Sequence, residues 1–587
     1  MSFGVQDLMH GFQAGAGARV ARLLVVLVVV IAIGALYDSL VFRNFSNREA
    51  MDMAQLGRNL ADGKGYNTFF VRPFSMFLVQ NHRADHAPLL KTVHPDLANP
   101  PVYPYLLAGV FKLIPSVFFQ MPEKGFTIFV PDMVIALLNQ ILLLVAGLLL
   151  FLLAARLFDA TTAWITSIVF VGSETIWRFS TSGLNTMLLI VILLAVIWCL
   201  VLLEQWGRFG RGDVLLVSTA ALTGLLVGVG GLTRYAFGWL MVPIIIYLVA
   251  FLGEKKAVLC LATLGGFLAV MSPWVARNYS ICGLPFGTAT FTVCEATPAF
   301  PEDRLQRSLH PNLKTLSVKD FTRKLVLNSR ELVQNDLPKL GGNWVAAFFL
   351  VGLLVPFRSA APSRLRWLVV LSLLVFGLVQ CLGRTALSTE APEINAENML
   401  VLLVPLVIMF GVVLFFVLLD SIALPFPAAR ALLLGILCLV SGLPLIQQLV
   451  PPHAGPVAYP PYFPPLIQRV GNWFNEQELL MSDMPWAVAY YGRRQCLWAT
   501  LNWKKDFVEI TDWIRPIKGI YLTPLTTDTA FLSNWVRGEN RSWAAFLLES
   551  MVQREVPTGF PLRRAPDGFF PEQLLLTDYD RWKLRRE

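Results

Sequence analysis

Apolar residues along this chain gather into eleven long runs, at about 21–41, 127–154, 161–175, 185–203, 214–233, 236–253, 257–275, 342–357, 367–383, 398–419 and 430–447. A helix needs about 20 mostly apolar residues to cross the hydrocarbon core of a bilayer, so each run is predicted to be a transmembrane helix. Residues 102–120 are also apolar, but Lys112 and Pro115 interrupt them. That stretch predicts a helix lying at the membrane interface. Polar residues fall between the runs in three places: a long loop at about 42–126, a second at about 276–341, and the C-terminal region 451–587.

Composition agrees with that pattern and removes other classes. Of 587 residues, 55% are hydrophobic and 15% charged, with a mean hydropathy of +0.59. A soluble domain carries roughly a quarter charged residues. The net charge of +9 is scattered over short loops without a basic stripe, which argues against nucleic acid. Lys and Arg in short loops favour the cytoplasm. With the N-terminus inside, the inner loops hold Arg19, Arg22, Arg156, Arg208, Arg211, Lys255, Lys256, Arg358, Arg364, Arg366 and Arg430. The expectation is a multi-pass protein of the inner or plasma membrane, with its C-terminus and its long polar segments outside. The first run is too long for a signal-peptide core and reads as an uncleaved anchor.

Residues 1–450 thus form the membrane unit, and 451–587 a small α/β domain outside it. The latter opens with a proline-rich linker, Pro451 to Pro465. Strand-like runs follow at Leu479–Met481, Ala487–Tyr491 and Gly519–Leu522, among amphipathic stretches at Asp528–Trp535 and Trp543–Met551. Cys199, Cys260, Cys381 and Cys438 lie in apolar runs, Cys282 and Cys294 share the second outside loop, and Cys496 has no evident mate. An oxidising compartment would permit a Cys282–Cys294 disulfide.

The first loop carries the chemistry. Glu49 to Ala61 predicts a short helix capped by Ser46 or Asn47 and closed near Gly63. Glu49 and Asp52, three apart, sit on neighbouring faces of it, close to the first membrane run. Acids at a helix start also favour the macrodipole, and that reading stands beside the catalytic one. His82, His86 and His94 cluster with Asp85 and Asp96. His82 and His86, at i and i+4, have the spacing of a metal pair, although solvated loop histidines are commoner. His94 and Asp96 are candidates for lining a substrate cavity. Phe69, Phe70, Phe74, Met76 and Phe77 form either a mobile cover dipping into the interface or ordinary packing.

The run Glu49-Ala50-x-Asp52-x-Ala54-x-x-x-Arg58-Asn59-Leu60-x-x-Gly63-x-Gly65-Tyr66, followed by Asn99-Pro100-Pro101-x-Tyr103-Pro104-x-Leu106-Leu107, resembles the opening of the dolichyl-phosphate-mannose–protein mannosyltransferase-like group. That group has the GT-C fold and includes bacterial aminoarabinose transferases. Leu232-Thr233-Arg234, Pro273-Trp274-x-x-Arg277-Asn278 and Glu397-Asn398-Met399-Leu400 are similar to its later landmarks. The resemblance implies a membrane glycosyltransferase that moves a sugar from a polyprenyl-phosphate donor to an extracytoplasmic glycan, lipid or protein, with inversion. The relatives' catalytic acid, usually Asp, falls on Glu49, with Asp52 as helper or substitute. Where relatives carry Lys or Arg before Pro-Pro, this chain has Asn99. A phosphate leaving group profits from cations, and the acceptor hydroxyl needs a carboxylate in reach. Candidate substrate contacts are Arg58, Arg72, His94, Asp96, Tyr103, Arg234, Arg277 and Arg384, with Arg234 and Arg277 favoured for the phosphate. The resembled subgroup works without metal, so no cofactor is expected; a divalent ion at His82 and His86 is the alternative. Two rivals stand: a transporter, which would place charge near the bilayer midplane, and a GT-C-like protein without activity in envelope polysaccharide assembly.

Overall fold

The computed structural model describes residues 16–83, 93–121, 128–209, 212–354, 360–383, 398–422, 427–450, 459, 461–527, 541–553, 555–567, 569 and 572–583. Among these, seven helices are long and apolar enough to cross a bilayer: Val130–Leu157, Thr186–Arg208, Asp213–Thr233, Lys256–Cys282, Ala360–Leu382, Leu400–Ser421 and Ala428–Leu449. Leu24–Leu40, Val102–Phe111, Ala160–Val171 and Tyr235–Phe251 are apolar but shorter. Thr186–Arg208 and Leu400–Ser421 are the most deeply buried of the long helices and form the centre of the bundle.

Local sequence explains the breaks. The run at 161–175 ends its helix at Val171, and a new helix, Glu174–Thr181, starts after Gly172-Ser173. The expected interfacial helix over 102–120 runs only to Phe111; beyond Pro115 the chain forms a short 3-10 turn, Ser116–Phe119. Helices Asp213–Thr233 and Lys256–Cys282 meet backbone to backbone. A Cβ on Gly224 would lie 1.8 Å from the Thr263 carbonyl oxygen, and one on Gly266 2.3 Å from that of Ala221. Small residues at such contacts replace the hydrophobic drive that lipid removes.

Outside the bundle, a five-stranded sheet has the order β2-β5-β4-β6-β7. Its strands are β2 (Phe70–Val71), β4 (Leu479–Ser482), β5 (Gln495–Trp498), β6 (Ile517–Leu522) and β7 (Leu574–Thr577). β2, β5, β4 and β6 run parallel, and β7 is antiparallel at the edge. β2 comes from the first loop, where Phe70 pairs with Cys496 and Val71 with Leu497. A two-residue ladder joins β1 (Asn67–Thr68) to β3 (His94–Pro95).

Residues 487–491 are not a strand. Pro485 stands in the first turn of a helix, Pro485–Tyr490, a position where its missing N–H costs nothing. Cys282 and Cys294 are both free thiols, so the disulfide the sequence permits is not made. Phe69, Phe70, Phe74 and Met76 are buried and Phe77 is partly buried against the core that includes Phe74 and Met76, which fits the packing alternative. Arg384, Asp85, His86, Arg211, Arg358, Glu397, the 528–535 stretch and linker residues 451–458 lie outside the described residues.

Candidate active site

The first-loop helix runs Arg48–Ala61, and Asn47 caps it by accepting hydrogen bonds from the amides of Glu49 (3.0 Å) and Ala50 (3.2 Å). Asp62 ends it, and Gly63 follows with φ +74°. Gly57 lets the helix lie against Val102–Phe111, since a Cβ there would be 2.8 Å from that of Leu107. Met53 meets the amide of Asn185, which also donates to the Thr233 carbonyl at 2.8 Å. The helix therefore sits directly over the end of Asp213–Thr233, where Arg234 follows and opens the 3-10 turn Tyr235–Leu240.

One face of this helix builds a charged cluster. Asp52, 1% exposed, is bound on Oδ2 by Arg72 at 2.5 Å and by the Asn99 amide at 2.8 Å. Its Oδ1 accepts from Gln55 at 3.2 Å. Arg72 also lies 3.9 Å from the buried Asp96 carboxylate and 4.0 Å over the Phe70 ring. Asn99 bridges the two acids, reaching Asp96 Oδ2 at 3.3 Å, while Asp96 Oδ1 accepts the backbone amides of Ala98 and Asn99. Arg277, near the end of Lys256–Cys282, donates to the carbonyls of Asp96 (2.8 Å) and Tyr66 (3.3 Å) and stacks on Trp274. The Tyr66 hydroxyl donates to the Asn99 and Pro100 carbonyls.

Glu49 is partly exposed. Its side chain keeps 29% of its exposure and pairs with Arg48 at 3.3 Å; Arg48 in turn pairs with Asp303 at 2.9 Å and covers Trp498. Glu49 is thus the reachable carboxylate of the helix, and Asp52 the enclosed one.

Burial shapes the remaining groups. Asp96 is pushed up to about 6, chiefly by burial and then by the charge of Asp52. His94 is pushed down to about 3 by burial and by Arg72. The neutral ring meets Ser75 Oγ through Nε2 at 2.6 Å, and Ser75 spends its own proton on the Arg72 carbonyl. His94 Nε2 is therefore the donor, and its buried Nδ1 has no hydrogen-bond partner.

These two groups act in opposite directions on stability. A raised carboxyl favours the fold below its unfolded pKa and loses that contribution as pH rises through about 6. A depressed histidine contributes above its unfolded pKa and loses that contribution as pH falls towards about 3. The difference between the wild-type and Asp96→Asn melting curves isolates the first. Its expected form is a relative gain for the variant as pH rises from 4 to 7, by thermal unfolding in detergent; a pH-independent difference would refute it.

The other sequence candidates lie apart from the cluster. Arg58 is buried between the helix and the C-terminal residues, donating to the Tyr490 carbonyl at 3.3 Å and lying 4.3 Å over Phe119; burial pushes it down to about 9. Tyr103 is buried too, donating to Gly183 O at 3.1 Å and Asn139 at 3.3 Å. His82 ends the helix Pro73–His82 beside Tyr279. Among the described residues no group of three or more His, Cys, Asp and Glu is arranged to hold a metal ion. Asn99 and Gln55 are the residues that sequence reasoning missed. Asp52, Gln55 and Asn59 recur at i, i+3 and i+7, a polar stripe visible in the sequence.

No family model and no curated protein matches the chain. Solved structures do match. The Archaeoglobus fulgidus oligosaccharyltransferase in complex with zinc and sulfate aligns over 88% of this chain and 70% of its own, at 11% identity and a TM-score of 0.54. The same organism's AglB, with an inhibitory peptide and a dolichol-phosphate, covers 88% and 72% at 10% identity and 0.53. ArnT from Cupriavidus metallidurans, bound to undecaprenyl phosphate, covers 96% and 99% at 12% identity and 0.51. These are GT-C glycosyltransferase structures, and this chain shares their fold.

Proposed function

We propose that this protein is an integral membrane glycosyltransferase that takes a sugar from a polyprenyl phosphate and gives it, with inversion, to an extracytoplasmic acceptor. The observation that carries the reading is the partly exposed Glu49 carboxylate, on the same first-loop helix as Asp52, which the buried cluster of Arg72, Asn99 and Asp96 encloses. In this account Glu49 removes the acceptor's proton. Asp52 holds Arg72 in place, and Arg72, Arg234 and Arg277 face the developing negative charge of the phosphate. His94 and Asp96 shape the acceptor side. Eleven crossings, an inside N-terminus and an extracytoplasmic C-terminal domain beyond residue 450 complete the arrangement. The AglB and ArnT structures hold dolichol-phosphate and undecaprenyl phosphate, respectively, which supports a polyprenyl-phosphate donor here.

A second reading of the base rests on Asp96. With its carboxyl raised to about 6, Asp96 keeps its proton in mildly acid solution, and the neighbouring Asp52, bound by Arg72 and Asn99, would be the base. Arg277 separates function from scaffold. Arg277→Gln is expected to weaken binding of polyprenyl phosphate by about tenfold, the usual worth of one charge-assisted contact, as read by fluorescence with a short-chain analogue. Unchanged affinity would remove Arg277 from the phosphate site.

A further inference from the structure

At the far end of the bundle a cavity of about 440 Å³ opens among helix ends. Helix Asp213–Thr233 gives the separation: Thr233 closes it beneath the first-loop helix, and Asp213 begins it at this cavity. At about 1.5 Å per residue, its length is about 30 Å, the thickness of a bilayer core. The cavity therefore faces the opposite membrane surface from Glu49.

Its walls are unusual in how they gather charge. Glu204 is buried at 2% exposure, and its Oε1 accepts from Arg208 at 2.6 Å while Arg364 lies 3.3 Å away. Its Oε2 accepts from the Tyr247 hydroxyl at 3.1 Å. One carboxylate thus fixes two guanidiniums, leaving one positive charge in excess. Lys255 at the lip adds a third cation and its partner Asp213 a second carboxylate, so the lining keeps one positive charge in excess. Arg208 and Lys255 keep 45% and 53% of their side-chain exposure, so their remaining N–H donors are available. Beneath them the lining turns apolar at Leu216, Phe251 and Leu259. Ordinary positive-inside arginines project separately into the headgroup layer. Here a buried acid collects them around a cavity of the size that holds small molecules, roughly 300–1,000 Å³.

Cationic donors at the rim and hydrocarbon below match an anion that carries an apolar tail. We propose that this cavity binds the phosphate headgroup of an anionic membrane lipid, in the leaflet opposite the Glu49 site. The inference rests on the cavity alone and is independent of the transfer reaction.

The test uses the full-length protein in phosphatidylcholine nanodiscs containing a minor fraction of phosphatidylglycerol, with retained lipid measured by native mass spectrometry. Wild type is expected to retain phosphatidylglycerol preferentially. Lys255→Gln and Lys255→Gln/Arg208→Gln are expected to lose it by about fivefold for each cation removed. Arg156→Gln removes a cation outside the cavity lining, one that pairs with Gln205, and is expected to behave as wild type. Lys255→Gln leaves the buried Glu204 network intact, so a folding failure in the double variant does not decide the matter. Equal retention by wild type and Lys255→Gln, or equal loss in Arg156→Gln, would overturn the proposal. Displacement of the lipid by millimolar inorganic phosphate would overturn the lipid assignment in favour of free phosphate.

Discussion

Glu49→Gln is expected to slow sugar transfer by about 10²–10⁴-fold, the usual contribution of a positioned base, with donor affinity and melting temperature close to wild type. The amide keeps the size and hydrogen-bonding shape of the carboxylate and removes its basicity. Little folding energy is at stake. Glu49 is partly exposed, and its pair with Arg48 is of a kind worth about 0–1 kcal/mol. Arg48 also keeps Asp303 as a partner when Glu49 is neutral. The helix start is retained as well, because Asn47 caps through the backbone amides of Glu49 and Ala50 and not through the Glu49 side chain. Steady-state transfer and donor titration on the same preparation separate kcat from binding. Transfer within tenfold of wild type would remove Glu49 from the base role, and loss in Asp52→Asn alone would move that role to Asp52.

Arg72→Met is expected to destabilise the folded protein by about 3–5 kcal/mol, the cost of stripping one partner from a buried pair. Methionine keeps the apolar stem near Phe70, over which the guanidinium now lies, and removes the charge. Asp52 and Asp96 would then share the Asn99 amide with no cation between them. Two neighbouring carboxylates that lose a cation resist joint ionisation, and the remaining Arg277 acts on Asp96 less than Arg72 does, so Asp96 rises beyond its already elevated position. Because a raised carboxyl loses its stabilising contribution as pH rises, the deficit is expected to be larger at pH 8 than at pH 5. Thermal unfolding at the two pH values checks this, and adding Asp52→Asn should return part of the loss. A variant as stable as wild type at pH 8 would show that the cluster does not hold the first loop.

The apolar runs were legible because crossing a bilayer constrains composition over some twenty consecutive residues. All seven of the long apolar helices coincide with runs read from the sequence. The first-loop helix was legible for a local reason, with Asn47 before it and Gly63 after it. What could not be read is long-range. Arg72 and Asp96 meet because β1 pairs with β3 through two residues, Asn67 with Pro95 and Thr68 with His94. A ladder that short has no alternating pattern to betray it. The pairing of Phe70 with Cys496 likewise joins the first loop to the C-terminal sheet across most of the chain. Residues 487–491 misled because a short apolar run fits helix and strand equally, and Pro485 decided it. Asn99 looked like a lost phosphate contact. In the structure its amide links the two buried acids.

Sugar transfer with inversion is read from the anomeric configuration of the product. Purified protein would be given a panel of polyprenyl-phosphate sugars of known anomeric configuration with candidate acceptors, and the product bond read by NMR. Release of polyprenyl phosphate is expected, with a product whose anomeric configuration is opposite to that of the donor, since one base and one direct displacement serve the reaction. Retention of configuration, or no release of polyprenyl phosphate from any donor, would contradict this expectation.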